Sequence, residues 1–214
     1  MKAAPQKRGL PLFRTALSLP SREKDRVPMT ELQSPQRPLA PPDPGLCDIL
    51  IRPAMPADTE GVNRMLARSY RALLAADYEP ALLRQVLPLI SSARPSLLSC
   101  GTYFVAERDD RILAAGGWTD LSPHGAPGRA GVGHIRHVAC DPAQVRTGLG
   151  TLLMRRVMCS ARAAGVRDLR CQATLTAVGF YESLGFGSLG RIDVRLPTGV
   201  LFPAVQMRRL EDEG

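Results

Sequence analysis

Hydrophobic and polar positions follow two rhythms along this chain, and its elements are read from where one rhythm gives way to the other. A short apolar run at residues 49–51 reads as a strand that ends at Arg52-Pro53. Asp58 stands as an N-cap before apolar residues at helical spacing: Val62, Met65, Leu66, Leu73 and Leu74. A second helical pattern follows Pro80, with Leu82, Leu83, Val86, Leu87 and Ile90 on one side, and Pro95 closes it. Residues 102–107 and 112–118 are strand-like runs around the polar turn Arg108-Asp109-Asp110-Arg111, which predicts a hairpin. Residues 121–130 contain Pro123, Gly125, Pro127 and Gly128 and read as a loop. A strand over 134–140 leads into a long helix. A strand over 169–173, a short helix over 177–184 capped by Gly185, and a hairpin of 191–196 and 201–207 complete the chain. The predicted order is β-α-α-β-β-β-loop-α-β-α-β-β, with no internal repeat.

The long helix and the turn before it organise the rest. Leu149, Leu152, Leu153, Val157, Ala161 and Ala164 form one stripe, with Arg155, Arg156 and Arg162 beside or opposite it. Gly165 follows where a left-handed C-cap is wanted. Ahead of the helix, Gly148 and Gly150 lack side chains just where the first helical N–H groups have no intrahelical partner. Free amides, the positive end of the helix dipole and the Arg146 charge together predict an anion site. A Walker loop is excluded because the chain has no Gly-Lys pair. A dinucleotide fingerprint is excluded because its third glycine would fall at Leu153.

Composition narrows the picture. The 214 residues are 44% hydrophobic, enough for one well-buried domain with chain to spare. No apolar run approaches the ~18 residues of a membrane span. Five cysteines, at 47, 100, 140, 159 and 171, are odd in number and show no metal spacing, which fits reduced thiols in a cytoplasmic protein. The net charge is +8, with eight basic and four acidic residues in the first 47 positions and twenty and sixteen in the remainder. The excess is thus spread over the chain and suits a small anionic ligand better than a nucleic-acid face.

Nine of the nineteen prolines lie in residues 1–46, where apolar residues have no period, so this segment is expected to be a disordered extension. Residues 1–22 are basic and free of acid, as in organelle transit peptides, but the prolines interrupt any amphipathic helix and a plain tail is the better reading. A translation start at Met29 is a further way to account for the segment.

The loop VRTGLG, residues 145–150, resembles the pyrophosphate loop [RQ]-x-x-G-x-[GA] of the GNAT superfamily of acyl-CoA-dependent N-acetyltransferases, with Val145 in place of the leading Arg or Gln. Residues 137–142 resemble the strand that ends x-V-x-P before that loop, with Cys140 where Val is usual. CQATLTAVGFYESLGF resembles the family segment A-x-x-F-Y-x-x-x-G-F, with Ala177, Phe180, Tyr181, Gly185 and Phe186 in place. The resemblance covers about residues 48–210, and it is the combination with the element order that makes it specific. It implies an α/β (α+β) fold, a single GNAT-type domain at 47–214. Its sheet would be mixed and mostly antiparallel, with helices on both faces.

The resemblance further implies acetyl transfer from acetyl-CoA, as cosubstrate, to a primary amine by direct attack, without metal. Backbone groups of Val145, Arg146, Thr147, Gly148, Leu149, Gly150 and Thr151 would cradle the diphosphate. The strand should lose its parallel neighbour near its end, freeing groups at Val138, Ala139 and Cys140 to pair with pantetheine. The Val138 amide would donate to the thioester oxygen. Tyr181 would protonate the leaving thiolate; read without the resemblance, it is a core tyrosine with a satisfied hydroxyl. His134 stands where some members place a carboxylate base, with a chain of waters as the alternative, and His137 ranks below it. Thr174 replaces an Asn common in the family. Trp118 either lines the acceptor cleft or packs in the core, the latter being favoured. Cys140 lacks the His–Asp partnership of a nucleophile and reads as packing.

The acceptor, a small-molecule or protein amine, is not legible, and a homodimer is compatible with the sequence. Two other readings stay open. One is a non-catalytic acyl-CoA-binding or sensor module of the same fold, toward which Val145 and Thr174 lean. The weaker is a nucleic-acid-binding protein using the basic tail, whose one aromatic is Phe13.

Overall fold

The two faces of strand β2 (Tyr103–Arg108) show how the chain is layered. Tyr103 and Val105 are buried on one side with Val62, Met65 and Leu66 of helix α1 (Thr59–Leu73). Phe104 and Ala106 are buried on the other with Leu149, Leu153, Met154, Val157 and Ala161 of helix α4 (Leu149–Ala163). A strand covered on both faces is apolar throughout rather than alternating, and YFVA is such a run.

This is a computed structural model, and it describes residue 46 and residues 48–123 and 127–211. The expectations for residues 1–45, for Cys47 and for loop positions 124–126 lie outside the described residues. The remaining elements are β1 (Leu50–Pro53), α2 (Pro80–Ile90), α3 (Pro95–Leu98), β3 (Arg111–Thr119), β4 (Val132–Cys140), β5 (Asp168–Ala173), α5 (Val178–Ser183), β6 (Gly187–Arg195) and β7 (Leu201–Leu210). They build a seven-stranded sheet in the order β1-β2-β3-β4-β5-β7-β6. Every neighbouring pair is antiparallel except β4 and β5, and α4 is the crossover that this parallel pair requires. The mixed, mostly antiparallel sheet with helices on both faces is therefore as expected. Among the described residues no helix is long and apolar enough to cross a membrane.

Local differences have local causes. Asp58 ends a 3-10 turn before α1, but its carboxylate does not cap the helix ahead. It faces backward, accepting from the Met55 amide at 2.7 Å and from both terminal nitrogens of Arg52 at 2.8 Å. Pro95 does not close α2; α2 ends at Ile90, and Pro95 opens the one-turn helix α3, whose first position tolerates a missing N–H. On α4 the buried stripe is rotated slightly from the expected one: Met154 is fully buried, Leu152 is half-buried and Ala164 is exposed. The β2–β3 turn is a two-residue loop with Asp109 at φ 52° and Asp110 at φ 56°, the mirror-image turn whose twist suits a hairpin.

Candidate functional site

β4 is paired on both sides only at its beginning. Its parallel rungs to β5 run Val132 to Asp168, Gly133 to Leu169 and His134 to Arg170, and then stop. Beyond them β5 continues against β7 alone, so β4 from Ile135 to Cys140 has no strand on that side. On its other side β4 carries a bulge. Arg136 faces Gly117 and Ala139 faces Ala115, so three steps on β4 span two on β3. His137 absorbs the extra residue at φ 41°. The bulge fits because Gly116 and Gly117 have no side chains: a Cβ on Gly116 would meet Val138 Cγ2 at 2.8 Å, and one on Gly117 the Tyr103 Cα at 2.5 Å.

Asp141 then fixes where the loop begins. Its buried carboxylate accepts from Arg68 of α1 at 2.6 Å, lies 3.5 Å from Arg111, and caps the next turn through the Ala143 amide at 3.1 Å. Arg146 at φ 69° and Gly148 at φ 87° swing the chain into α4. Gly148 is the N-cap and offers no side chain, so the first helical amides have only the Thr147 hydroxyl nearby, 3.5 Å from the Leu149 nitrogen. Val145 and Arg146 are exposed. The two glycines serve different ends. Gly148 supplies the left-handed turn, with Leu46 close by. A Cβ on Gly150 would meet the Phe180 ring at 3.3 Å and Cys140 Sγ at 3.4 Å, so this position lets α4 approach α5.

The gap between β4 and β5 opens as a cleft of about 450 Å³. His134, His137 and Val138 line it from β4, and Thr174, Ala177 and Tyr181 from the β5–α5 segment. The Tyr181 ring is wedged edge-on between Phe180 and Phe186, with centroids 5.4 and 5.3 Å away. Its hydroxyl has no hydrogen-bond partner among the described residues. Burial raises its pKa well above the ordinary value, so it is a neutral phenol at pH 7. His134 is half-buried, and its pKa is lowered by burial first and then by the Arg136 and Arg170 charges, against a smaller opposing effect of Asp168. His137 is pushed down to about 4, again chiefly by burial. Burial, with Asp141 adding to it, pushes the Cys140 thiol up to about 11, which keeps it protonated and unreactive.

The unpaired edge of β4 and the Tyr181 phenol border one cleft, and the glycine-led helix α4 follows β4 in the chain. Residues 99–187 match the family model described as an acetyltransferase (GNAT) domain. The fold is that of the GNAT superfamily. A GCN5-related N-acetyltransferase from Rhodopseudomonas palustris superposes with a TM-score of 0.62 at 18% identity, over 76% of this chain and 95% of that one. The PaiA N-acetyltransferase from Thermoplasma acidophilum, solved in complex with coenzyme A, superposes with a TM-score of 0.55 at 14% identity, over 76% of this chain and 99% of that one. No curated protein sequence matches the chain.

Within this GNAT fold, Tyr181, His134 and Val138 share the cleft, whereas Ala139, Cys140 and residues 145–151 do not line it. Trp118 is absent from the cleft. It is buried in the core, and its indole N–H donates to Ser160 Oγ at 3.2 Å. Among the described residues no group of His, Cys, Asp or Glu is arranged to hold a metal ion. Several positioning residues carry no sequence signal of their own. The Tyr103 hydroxyl donates to the His137 carbonyl. The Tyr78 hydroxyl accepts from the Leu175 amide and donates to the Pro203 carbonyl, each at 2.8 Å, tying the cleft wall to β7. Thr176 Oγ1 donates to Asp77 at 2.6 Å on the same wall.

Proposed function

We propose that this protein is an N-acetyltransferase that moves an acetyl group from acetyl-CoA to a primary amine by direct attack, from a domain spanning residues 47–214. One observation carries the reading: Tyr181 is a buried residue, yet its hydroxyl has no protein partner and is open to the cleft where β4 loses β5. A satisfied core tyrosine would not be left so. Acetyl-CoA supplies the activated acyl thioester, and the residues present fit it. The amides at the start of α4, with Arg146, suit a diphosphate. The free edge at Val138, Ala139 and Cys140 suits the pantetheine amides as an added strand.

The chain's own residues then account for the proton traffic. The Val138 amide donates to the carbonyl oxygen as negative charge grows there. His134, held neutral near pH 7, accepts the proton that the attacking nitrogen gives up, directly or through water. As the new C–N bond forms and the C–S bond breaks, Tyr181 gives its proton to the departing sulfur. Solvent in the open cleft then resets both groups.

The test is a calorimetric titration of acetyl-CoA and CoA into the full chain, with NADH and ATP as controls, followed by amine-dependent thiol release. Micromolar binding that Gly148→Glu weakens at least tenfold, with turnover on some amine, is the expected result. Binding without turnover on any amine favours the non-catalytic acyl-CoA module, a reading to which the exposed Val145 at the head of the loop also points. Binding of neither thioester nor thiol overturns both.

A further inference from the structure

The charges around the amine side of the cleft are one-sided. Among the described residues no Asp or Glu lines it, whereas Arg136 and Arg170 do. Arg170 is balanced, since it donates to Asp168 at 2.7 Å, but Arg208 shares the same carboxylate at 2.9 Å. Burial pushes the Asp168 carboxyl up, yet the two arginine hydrogen bonds outweigh it and hold it below the usual range. One carboxylate thus serves two guanidinium groups.

Arg136 has no carboxylate at all among the described residues. It is half-buried, and its donors reach only neutral acceptors, Nε to Thr119 Oγ1 at 2.9 Å and Nη2 to the Leu121 carbonyl at 2.5 Å. Nη1 has no described partner and is not sealed from solvent, so it is open to a ligand. Arg94, exposed and also without a described ion pair, stands close enough to lower the pKa of Arg136 and of His137. A guanidinium stays protonated in proteins, so burying one against neutral groups is costly unless an anion completes its shell. Nothing in the described structure supplies that anion. The cleft does open onto it.

Resting on the acetyltransferase reading above, we propose that the acceptor is an amine carrying its own carboxylate, held by Arg136. The planar fork of Arg136 matches a carboxylate in a way a single ammonium would not. The same positive field disfavours the protonated form of the incoming amine, which must be neutral to attack. It also repels polycationic acceptors, so selection works by exclusion as well as attraction.

The experiment compares acceptors that share an amine and differ only in the carboxylate: methionine against methioninamide, phenylalanine against phenylalaninamide, with spermidine as the cationic case. Acetyl-CoA binding is measured separately by calorimetry. The expected result is at least tenfold higher kcat/KM for the free acid of a pair. Arg136→Gln removes this preference through KM while acetyl-CoA binding is unchanged, and Arg136→Lys restores part of it. Preference for the amides or spermidine, with acetyl-CoA bound and turned over, overturns this proposal and leaves acyl transfer standing. If acetyl-CoA is not bound, the acyltransferase reading fails on its own. The arginines are then read by ligand NMR with N-acetylmethionine and N-acetylmethioninamide. Selective binding of the acid, lost in Arg136→Gln, supports the carboxylate site, and equal or no binding overturns it.

Discussion

The hydroxyl of Tyr103 on β2 donates to the carbonyl of His137 on β4 at 3.1 Å, reaching over β3 to hold the residue that makes the bulge. The reach is open because Gly117, opposite Tyr103, has no side chain: a Cβ there would stand 2.8 Å from the tyrosine ring. A buried residue on one strand thereby sets the local path of another, next to the edge that faces the cleft.

Removing that hydroxyl tests the link. Tyr103→Phe keeps the ring in its fully buried place and leaves the His137 carbonyl short of a donor. A loss of about 1–2 kcal/mol is expected in urea unfolding. Acetyl-CoA affinity should fall several-fold with it, because the bulge sets the path of the free edge. Stability lost with affinity untouched would show that the bulge does not shape the binding edge.

Tyr181→Phe should behave in the opposite way. The hydroxyl has no described partner, so neither the fold nor acetyl-CoA binding should change measurably. The turnover rate should drop about 10²-fold, the usual scale for losing a positioned acid. Unfolding and binding curves that overlay wild type, beside a depressed kcat, give the expected signature. A large stability loss would instead mark Tyr181 as a core residue.

The proposed role of His134 as the base predicts an acid limb in the rate. Its pKa lies below the ordinary 6.5, because burial and the Arg136 and Arg170 charges disfavour the imidazolium. The proton-accepting form therefore dominates at pH 7. kcat/KM, expressed on the unprotonated amine, should rise with pH through a midpoint below 6.5 and then level off. His134→Gln should abolish that limb; a profile unchanged in the variant would assign the proton transfer to water.

His137 makes a prediction about stability rather than rate. The folded protein keeps it neutral down to about pH 4, whereas the unfolded chain binds its proton near 6.5. Between those values the unfolded state holds more protons, so stability rises with pH across the window and is flat above it. Urea midpoints measured from pH 4 to 7 should follow this slope, less steeply in His137→Gln. Equal slopes in both proteins would place the titration elsewhere.

Local chemistry made much of this readable from the chain alone. The glycine-led start of α4, the hairpin at Asp109 and Asp110, the C-cap at Gly165 and the order of strands and helices all depend on neighbours in sequence. A helix repeats every 3.6 residues, and a turn needs its own residue types. The side of the α4 stripe that the sheet takes, Met154 rather than Ala164, is not set by period, because several adjacent rotations fit the same spacing. Asp58 looked like a forward cap for a similar reason; Arg52 and Glu107, folded beside it by the β1–β2 pairing, turn its carboxylate backward.

What the sequence determined by itself is the order of the strands and of the helices other than α3, and the glycine-led start of α4, since both rest on short-range sterics and unpaired backbone groups. The tertiary structure decided the rest. Tyr103 meets His137, Arg68 meets Asp141, and Tyr181 faces a gap with its hydroxyl unpaired. Each of these joins residues far apart in the chain, and only the closing of the sheet, with one parallel pair that diverges after His134, brings them together.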